Sequence, residues 1–350
     1  MTDYTTRRAR LEPLLESARS LADAKSERGK QARARLLVSS GLSPEGVEFA
    51  IARCLEVAPE EREIEALIRS TATAQVAHVL LSANVFVAAH RAIAIGLAAS
   101  DTVHVRPSRR EPEMAELLLA GAASSFRIVS ELSPHAGDRL WAYGSDETLD
   151  EVAVTLPQGV AFHGHGSGFG VAVIDGTLSD SALAELLPRL AEDIALFDQR
   201  GCLSPRVLLL SGGAPEAARQ VARALATELA ELETRVPRGR LEPHETAEIT
   251  NYRDTASFTG ELFPAGLGFV SAGSGDQWLL PPSGRNLHLL PTSDALHSLS
   301  ALRPMITSCA FAGEAALGVS LRRALPGARH CRFGEMQRPP FDGPVDRRDL

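Results

Sequence analysis

Apolar and polar positions divide this chain into stretches of different texture. Residues 1–70 read as helical and charged. Within them "SPEGVEFAIARCLEV" starts with Ser43 as N-cap and Pro44 at the first helical position. "PEEREIEALIRS" starts a further helix, with Pro59 followed by acidic residues that suit the positive end of the helix dipole. This part reads as a small helical appendage without chemistry of its own. From about Thr73 the pattern changes. "QVAHVLLSANVF" begins as a buried strand and "VFVAAHRAIAIGLAAS" has the composition and length of a helix. "DTVHVRPS" is a strand, "EPEMAELLLAGAA" a helix, "SFRIVSEL" and "DRLWAYGS" strands, and "DETLDEVAVTL" a helix. Strands alternating with helices predict βαβ units on a parallel sheet. "GVAFHGHGSGFGVAVID" adds strand material around a glycine-rich turn. A second run follows: the helix "SDSALAELLPRLAEDIALF", the strand "RVLLLSGG", a helix from Ala214 to about Glu233, strands at "GLGFVSAG", "WLLPP" and "NLHLLPT", the helix "SDALHSLSALRP", and "MITSCAFAG". The tail "RFGEMQRPPFDGPVDRRDL" is rich in proline, glycine and charge and reads as irregular.

The 350 residues suggest two domains, and 44% hydrophobic content supplies sizeable cores. A net charge of -8 and 5% aromatic residues argue against a general nucleic-acid binder or a base-stacking platform. None of the four cysteines falls in a C-x-x-C spacing, which argues against a structural zinc site or a redox pair. So few cysteines make no disulfide framework, and a reducing compartment fits best. The first residues lack the apolar core of a secretion signal, and no run approaches the ~18 apolar residues of a membrane span. The expected location is the cytoplasm.

The candidate chemistry centres on "LFDQRGCLSP", Leu196 to Pro205. A lone cysteine is most often a buried space-filler. Cys202, however, follows a helix end and a polar turn, just where a strand is about to start. Arg200 and Arg206 are close in sequence and would favour a thiolate. Cys54 and Cys309 lie in apolar patterns and read as core, while Cys331 has no evident partner.

The order of "LLSANVFVAAHRAI", "VHVRPSRREP", "WAYGSDETL", "FHGHGSGFGVAVI" and "LFDQRGCLSP" resembles the aldehyde dehydrogenase superfamily. Within it, the "FDQ-x-x-C-x-SP" arrangement is most similar to the acyl-CoA reductases of the LuxC family, the fatty acid reductase component of bacterial luminescence systems. The resemblance spans roughly residues 73 to 345. It implies an α/β fold, aldehyde dehydrogenase-like, with a Rossmann-like parallel-sheet cofactor domain, an α/β catalytic domain and a helical N-terminal segment. It makes Cys202 the nucleophile that attacks the acyl-CoA carbonyl. Asn84 would hold the oxyanion together with the Cys202 backbone N–H; its plainer reading is a helix N-cap, and the two roles are compatible because a cap at the carboxyl end of a strand faces the crevice of a parallel sheet. Arg106 stands where the family places a lysine against the adenosine ribose, and Ser108 shares that turn. Arg109 stands where NAD-preferring members often carry glutamate. Arginine there would grip a 2′-phosphate, so NADPH is the expected cofactor. Gly144 and Ser145 match a turn where a helix N-terminus meets the pyrophosphate.

Departures from the family pattern sharpen the expectation. The glycine-rich turn lacks the glutamate that activates water in hydrolytic relatives and has His163 and His165 instead. A reductase needs no such water, and a histidine there would donate a proton to the departing thiol or the oxyanion. A His-x-His metal site lacks a third ligand, so no metal is expected. The E-x-F-G-P segment that holds the nicotinamide ribose is not evident; "TGELFPAG" is its nearest remnant. "RPPFDGP" looks like the family's late loop near the active-site mouth. The expected division is a helical segment at 1–72, a nucleotide-binding domain at 73–175, a catalytic domain at 176–310 and a tail at 311–350 returning over the cleft. The expected reaction is NADPH-dependent reduction of a fatty acyl-CoA to the aldehyde. An oxidative aldehyde or semialdehyde dehydrogenase, and a non-redox cysteine acyltransferase or pseudoenzyme, are the alternatives. Acyl-CoA is the expected partner, without nucleic acid; a homo-oligomer or an acyl-transfer partner protein is left open.

Overall fold

The computed structural model describes residues 4–122, 125–273 and 278–348, which leaves the extreme ends of the expected helical segment and tail outside the described residues. The chain forms two compact units. The first comprises residues 1–40, 47–167 and 340–344, and the second 41–46, 168–339 and 345–350.

The first unit begins with helices α1 (Tyr4–Ala22), α2 (Glu27–Ser40), α3 (Pro44–Cys54, whose first residues fall in the second unit) and α4 (Glu61–Ser70). Ser43 caps α3 as its sequence suggests, accepting from the Gly46 N–H at 2.9 Å. In α4, Glu60 and Glu63 form a reciprocal capping box. These helices are no loose appendage. Leu11, Leu14, Leu15, Ala18 and Leu21 make a buried stripe on α1 at helical spacing. That stripe packs on α5 (Ala88–Ala99) and α6 (Glu113–Gly121). Ser17 donates to the Leu118 carbonyl at 2.8 Å and Arg7 to the Ala98 carbonyl at 2.6 Å. Every residue of α5 from Ala89 to Ala99 is buried, because α1 covers one side and the sheet the other.

That sheet contains β1 (Ala77–Leu80), β2 (Val103–Arg106), β3 (Arg127–Ile128), β4 (Arg139–Tyr143) and β5 (Ala161–His165), with α7 (Asp146–Thr155) between the last two. All pairings are parallel, in the order β3-β2-β1-β4-β5. The order reverses direction between β1 and β4. In an open parallel sheet the crevice at the carboxyl ends beside such a reversal is where ligands bind.

The second unit holds β6 (Phe169–Asp175), α8 (Asp180–Ala195), β7 (Pro205–Ser211), α9 (Pro215–Arg235), α10 (Pro243–Thr259), β8 (Gly260–Ala265), β9 (Gly268–Gly273), β10 (Leu287–Thr292), α11 (Ala295–Ser300), β11 (Ile306–Ala312), α12 (Ala315–Ala324) and β12 (Arg329–Cys331). Its seven strands run β12-β11-β6-β7-β10-β9-β8, parallel except for the β8–β9 hairpin. Val171, Val173, Val207, Leu209, Leu290, Ile306 and Cys309 form its core.

Four differences from the sequence reading have physical causes. β6 pairs with β7 and β11, so the compact units divide at 167/168, within the stretch assigned to the nucleotide-binding part. "WLLPP" is irregular: its two prolines have no N–H to give a ladder. α10 went unread because its sequence is mostly polar, although Glu245, Ile249, Tyr252 and Ala256 make a narrow buried stripe. α12 buries only Gly318 and Leu321. Among the described residues no helix is long and apolar enough to cross a membrane.

Candidate active site

Cys202 lies in a turn at the amino end of β7. After α8 the chain makes one short helical turn over Leu196–Gln199, in which Phe197, Asp198 and Gln199 all have left-handed backbones, with φ of 55°, 50° and 65°. A left-handed non-glycine residue costs about 1–2 kcal/mol, so three in succession need firm support. Asp198 supplies part of it. Its Oδ1 accepts from Arg285 Nε at 3.0 Å and Nη2 at 2.8 Å, and its Oδ2 accepts from the Gly239 N–H at 2.9 Å. Both side chains of the ion pair are 1–2% exposed. Arg285 has a left-handed backbone itself, with φ of 68°, and donates further to Glu233 and the Val236 carbonyl. Gln199, fully buried, donates to the Pro205 and Asn286 carbonyls at 2.7 and 2.6 Å and accepts from the Asn286 N–H at 2.8 Å. Two buried side chains thus clamp the residues just before the cysteine.

The turn is held from below as well. Thr307, at the start of β11, donates to the carbonyl of Cys202, and Ser308 donates to that of Leu203 at 2.9 Å. Gly170 lets β6 pass close beneath, where a Cβ would meet the Leu203 carbonyl, and its N–H donates to the Ser204 carbonyl at 2.8 Å. The Cys202 residue keeps partial exposure, whereas Cys309 is buried in the core. Burial pushes the Cys202 thiol up to about 11, and Asp346 adds to this. Arg348 and the backbone N–H groups of Cys202 and Leu203 oppose it. Those two N–H groups therefore lie close to the sulfur, in the turn just before β7. The arginines expected to favour a thiolate are engaged elsewhere: Arg200 with Glu245 at 2.8 Å and Arg206 with the Pro281 carbonyl at 2.8 Å.

In the first unit the expected cofactor residues gather at the carboxyl ends of β1, β2 and β4, beside the reversal in strand order. Asn84 follows β1. It is exposed, makes no hydrogen bond among the described residues, and is not a cap: Val87 occupies the N-cap of α5. Arg106 ends β2. Ser108 accepts from the Arg110 N–H at 3.2 Å and shapes the turn that carries exposed Arg109. Among the described residues the Arg106 and Arg109 guanidinium groups have no hydrogen-bond or ion-pair partner. Gly144 and Ser145 follow β4. The Ser145 hydroxyl caps α7, accepting from the Thr148 N–H at 3.3 Å. The first turn of that helix carries Asp146, whose carboxylate accepts from the Ser167 N–H at 2.7 Å.

His163 and His165 are strand residues of β5, not turn residues; the turn itself is Gly166–Gly168. His163 stacks on Trp141 with ring centroids 5.2 Å apart and lies 3.0 Å from Arg139 Nη1. Burial and the Arg139 charge push its pKa down from the usual histidine value. His165 stacks on Tyr143 at 4.7 Å, at the carboxyl end of the strand. Among the described residues no cluster of three or more His, Cys, Asp or Glu side chains fits a metal ion. Glu261 of "TGELFPAG" lies on β8, 3.4 Å from Arg219 on α9, in a surface ion pair. Sequence reasoning missed Arg285 and Thr307, because their roles arise only when distant strand starts meet the cysteine turn.

The fold is shared with known proteins. An oxidoreductase from Marinobacter aquaeolei superimposes with a TM-score of 0.72 at 12% identity, covering 95% of this chain and 78% of that one. Aldehyde dehydrogenase 21 from Physcomitrella patens, solved with the reaction product succinate, gives 0.70 at 12% identity over 99% and 79%. The Delta-pyrroline-5-carboxylate dehydrogenase from Mycobacterium tuberculosis gives 0.67 at 11% over 95% and 71%. These likenesses establish an aldehyde dehydrogenase-like fold. No curated protein sequence matches. The family description of the acyl-CoA reductases (LuxC) matches residues 59–346, most of the chain, and the protein therefore belongs to the LuxC acyl-CoA reductase family.

Proposed function

We propose that the protein reduces an acyl-CoA thioester to the corresponding aldehyde with NADPH, through an acyl-Cys202 intermediate. Family membership carries the coarser part: an oxidoreductase acting on acyl or aldehyde groups. The observation that carries the finer part is the built turn around Cys202, with strained backbone held by Asp198–Arg285 and two N–H groups close to the sulfur. A space-filling thiol needs none of this.

The Cys202 thiol gives up its proton, which the departing CoA sulfur takes up through solvent, and the Cys202 sulfur attacks the thioester carbonyl carbon. The Cys202 and Leu203 N–H groups are suited to stabilise the oxyanion that forms, with the Asn84 amide joining them as the family resemblance implies. The carbon–sulfur bond to CoA breaks, CoA leaves as the thiol, and the acyl group stays on Cys202. The reduced nicotinamide supplies two electrons and a hydrogen to the acyl carbon when bound. The second oxyanion collapses, the bond to Cys202 breaks, and aldehyde leaves.

The first unit fits a dinucleotide at its adenosine half. Its strand order, β3-β2-β1-β4-β5, follows the doubly wound order of dinucleotide-binding sheets through five strands, and among the described residues Arg106 and Arg109 hold unengaged guanidinium groups at and just after the end of β2. That is where a 2′-phosphate would be read, which supports NADPH over NADH. The acyl-enzyme has no carboxylate in the His163–Phe169 stretch to activate water, which supports reduction over hydrolysis.

Two assays test this reading. Acyl-CoA with NADPH gives turnover, whereas aldehyde with NADP⁺ and no CoA gives none; turnover confined to the second mixture overturns it. Titrated NADPH raises the melting temperature; an unchanged melting temperature at millimolar NADPH overturns the redox step.

A further inference from the structure

We propose that the Asp346–Arg348 ion pair, near the end of the chain, is a positioning device that governs the nucleophilic reactivity of Cys202. The inference rests on the reading of Cys202 as the nucleophile. Arg348 grips the Asp346 carboxylate in a fork, Nε to Oδ1 at 2.9 Å and Nη2 to Oδ2 at 2.6 Å, and its own N–H donates to Oδ1 at 3.1 Å. The remaining nitrogen, Nη1, donates to the Pro304 carbonyl at 2.8 Å. That bond seats the pair against the segment leading into β11, which also presents Thr307 to the Cys202 carbonyl. A Cβ placed on Gly168 would touch Thr307 and lie 3.2 Å from Arg348 Nη1, so guanidinium, threonine and the start of β6 share one small space. Asp346 is only 6% exposed, which keeps water from screening its charge.

The other charges around the turn are committed. Asp193 of α8 accepts from the Gly334 and Met336 N–H groups at 2.6 and 3.0 Å. Asp198 is held by Arg285, Arg200 by Glu245, and Arg206 lies against the Pro281 carbonyl. The tail pair acts on the sulfur with opposite signs: Asp346 favours the thiol and Arg348 the thiolate. Their mutual fork fixes the balance, and a shift of the fork by one hydrogen bond would change which charge the sulfur feels.

The test is the rate of iodoacetamide alkylation at Cys202 in the full-length protein, followed by peptide mass from pH 7 to 9.5. Asp346→Asn is expected to raise the rate at pH 8 about 3–10-fold. Arg348→Gln is expected to lower it about 3-fold, and Arg348→Lys, which keeps the charge, to leave it near wild type. A purely structural role would move both neutralising variants in the same direction. Melting temperatures monitor folding, and if Arg348→Gln does not fold, Asp346→Asn against Arg348→Lys decides. Equal rates in folded Asp346→Asn and wild type, or shifts of the same sign in both neutralised variants, overturn the proposal. Alkylation needs no acyl-CoA or cofactor, so its failure leaves the reductase reading standing. Loss of acyl transfer, by contrast, would count against that reading and not against these electrostatics.

Discussion

The two functional regions are built in opposite ways. At the cysteine turn of the second unit, polar groups are tied down: Asp198 to Arg285, Gln199 to two carbonyls and an N–H, Thr307 to the Cys202 carbonyl. At the strand ends of the first unit, Asn84 and Arg109 are exposed, and Asn84, Arg106 and Arg109 have no partner among the described residues. The regions also use opposite ends of their sheets. The first presents the carboxyl ends of β1, β2 and β4. The second presents the amino ends of β6, β7 and β11, where the cysteine turn precedes β7. A covalent nucleophile, the role proposed for Cys202, works best held in one geometry with donors already aimed, and a built-in support suits it. A dissociable dinucleotide needs donors left open for it.

Breaking the clamp should have the largest effect. Arg285→Leu strips the buried Asp198 carboxylate of its two-pronged partner, leaving the Gly239 N–H and Arg200 at 3.9 Å, and should cost about 3–5 kcal/mol of unfolding free energy in a urea titration, with activity lost alongside. The open region should respond the other way, in function and not in stability. Asn84→Ala should lower turnover about 100-fold while leaving the melting temperature unchanged, since its side chain makes no hydrogen bond to lose. A matching drop in melting temperature would place Asn84 in the fabric of the fold. Arg109→Glu should raise the KM for NADPH about 10–100-fold and spare that for NADH; equal changes for both would remove it from 2′-phosphate reading.

The smallest effect sharpens the comparison from beneath the open loop. Glu111, just after Arg109, is 3% exposed, and burial raises its carboxyl to about 7. Because the folded pKa lies above the unfolded one, its contribution is full below about pH 4 and is lost as pH rises through 7. Glu111→Gln should therefore match wild type in stability near pH 4.5 and exceed it by about 1–2 kcal/mol at pH 8, since glutamine still accepts from the Met114 N–H. Equal curves at both pH values would show Glu111 to be solvated.

Much of this was legible in the sequence, for reasons that differ by region. The alternation of strands and helices from Thr73 predicts the parallel sheets because buried strands and covering helices carry strong apolar signals. The placement of Cys202 between a helix end and a strand start was readable, and the structure puts it in the turn between α8 and β7. Its support was not: Arg285 lies 87 residues from Asp198 in sequence, and a buried arginine looks like any other until the backbone brings it to its carboxylate. Arg200 and Arg206 misled for the converse reason. Closeness in sequence to a thiol says nothing about where a long side chain points, and each is spent on another partner. The histidines of "FHGHG" follow the same lesson, since the register of β5 on β4 stacks them on Trp141 and Tyr143.

The central claim is that Cys202 carries the acyl group. Its most direct test is the intact mass of the protein after incubation with acyl-CoA in the absence of NADPH. The account predicts a gain equal to one acyl group, absent in Cys202→Ala and discharged when NADPH is added. No gain in the wild-type protein, or a gain that persists in Cys202→Ala, would contradict it.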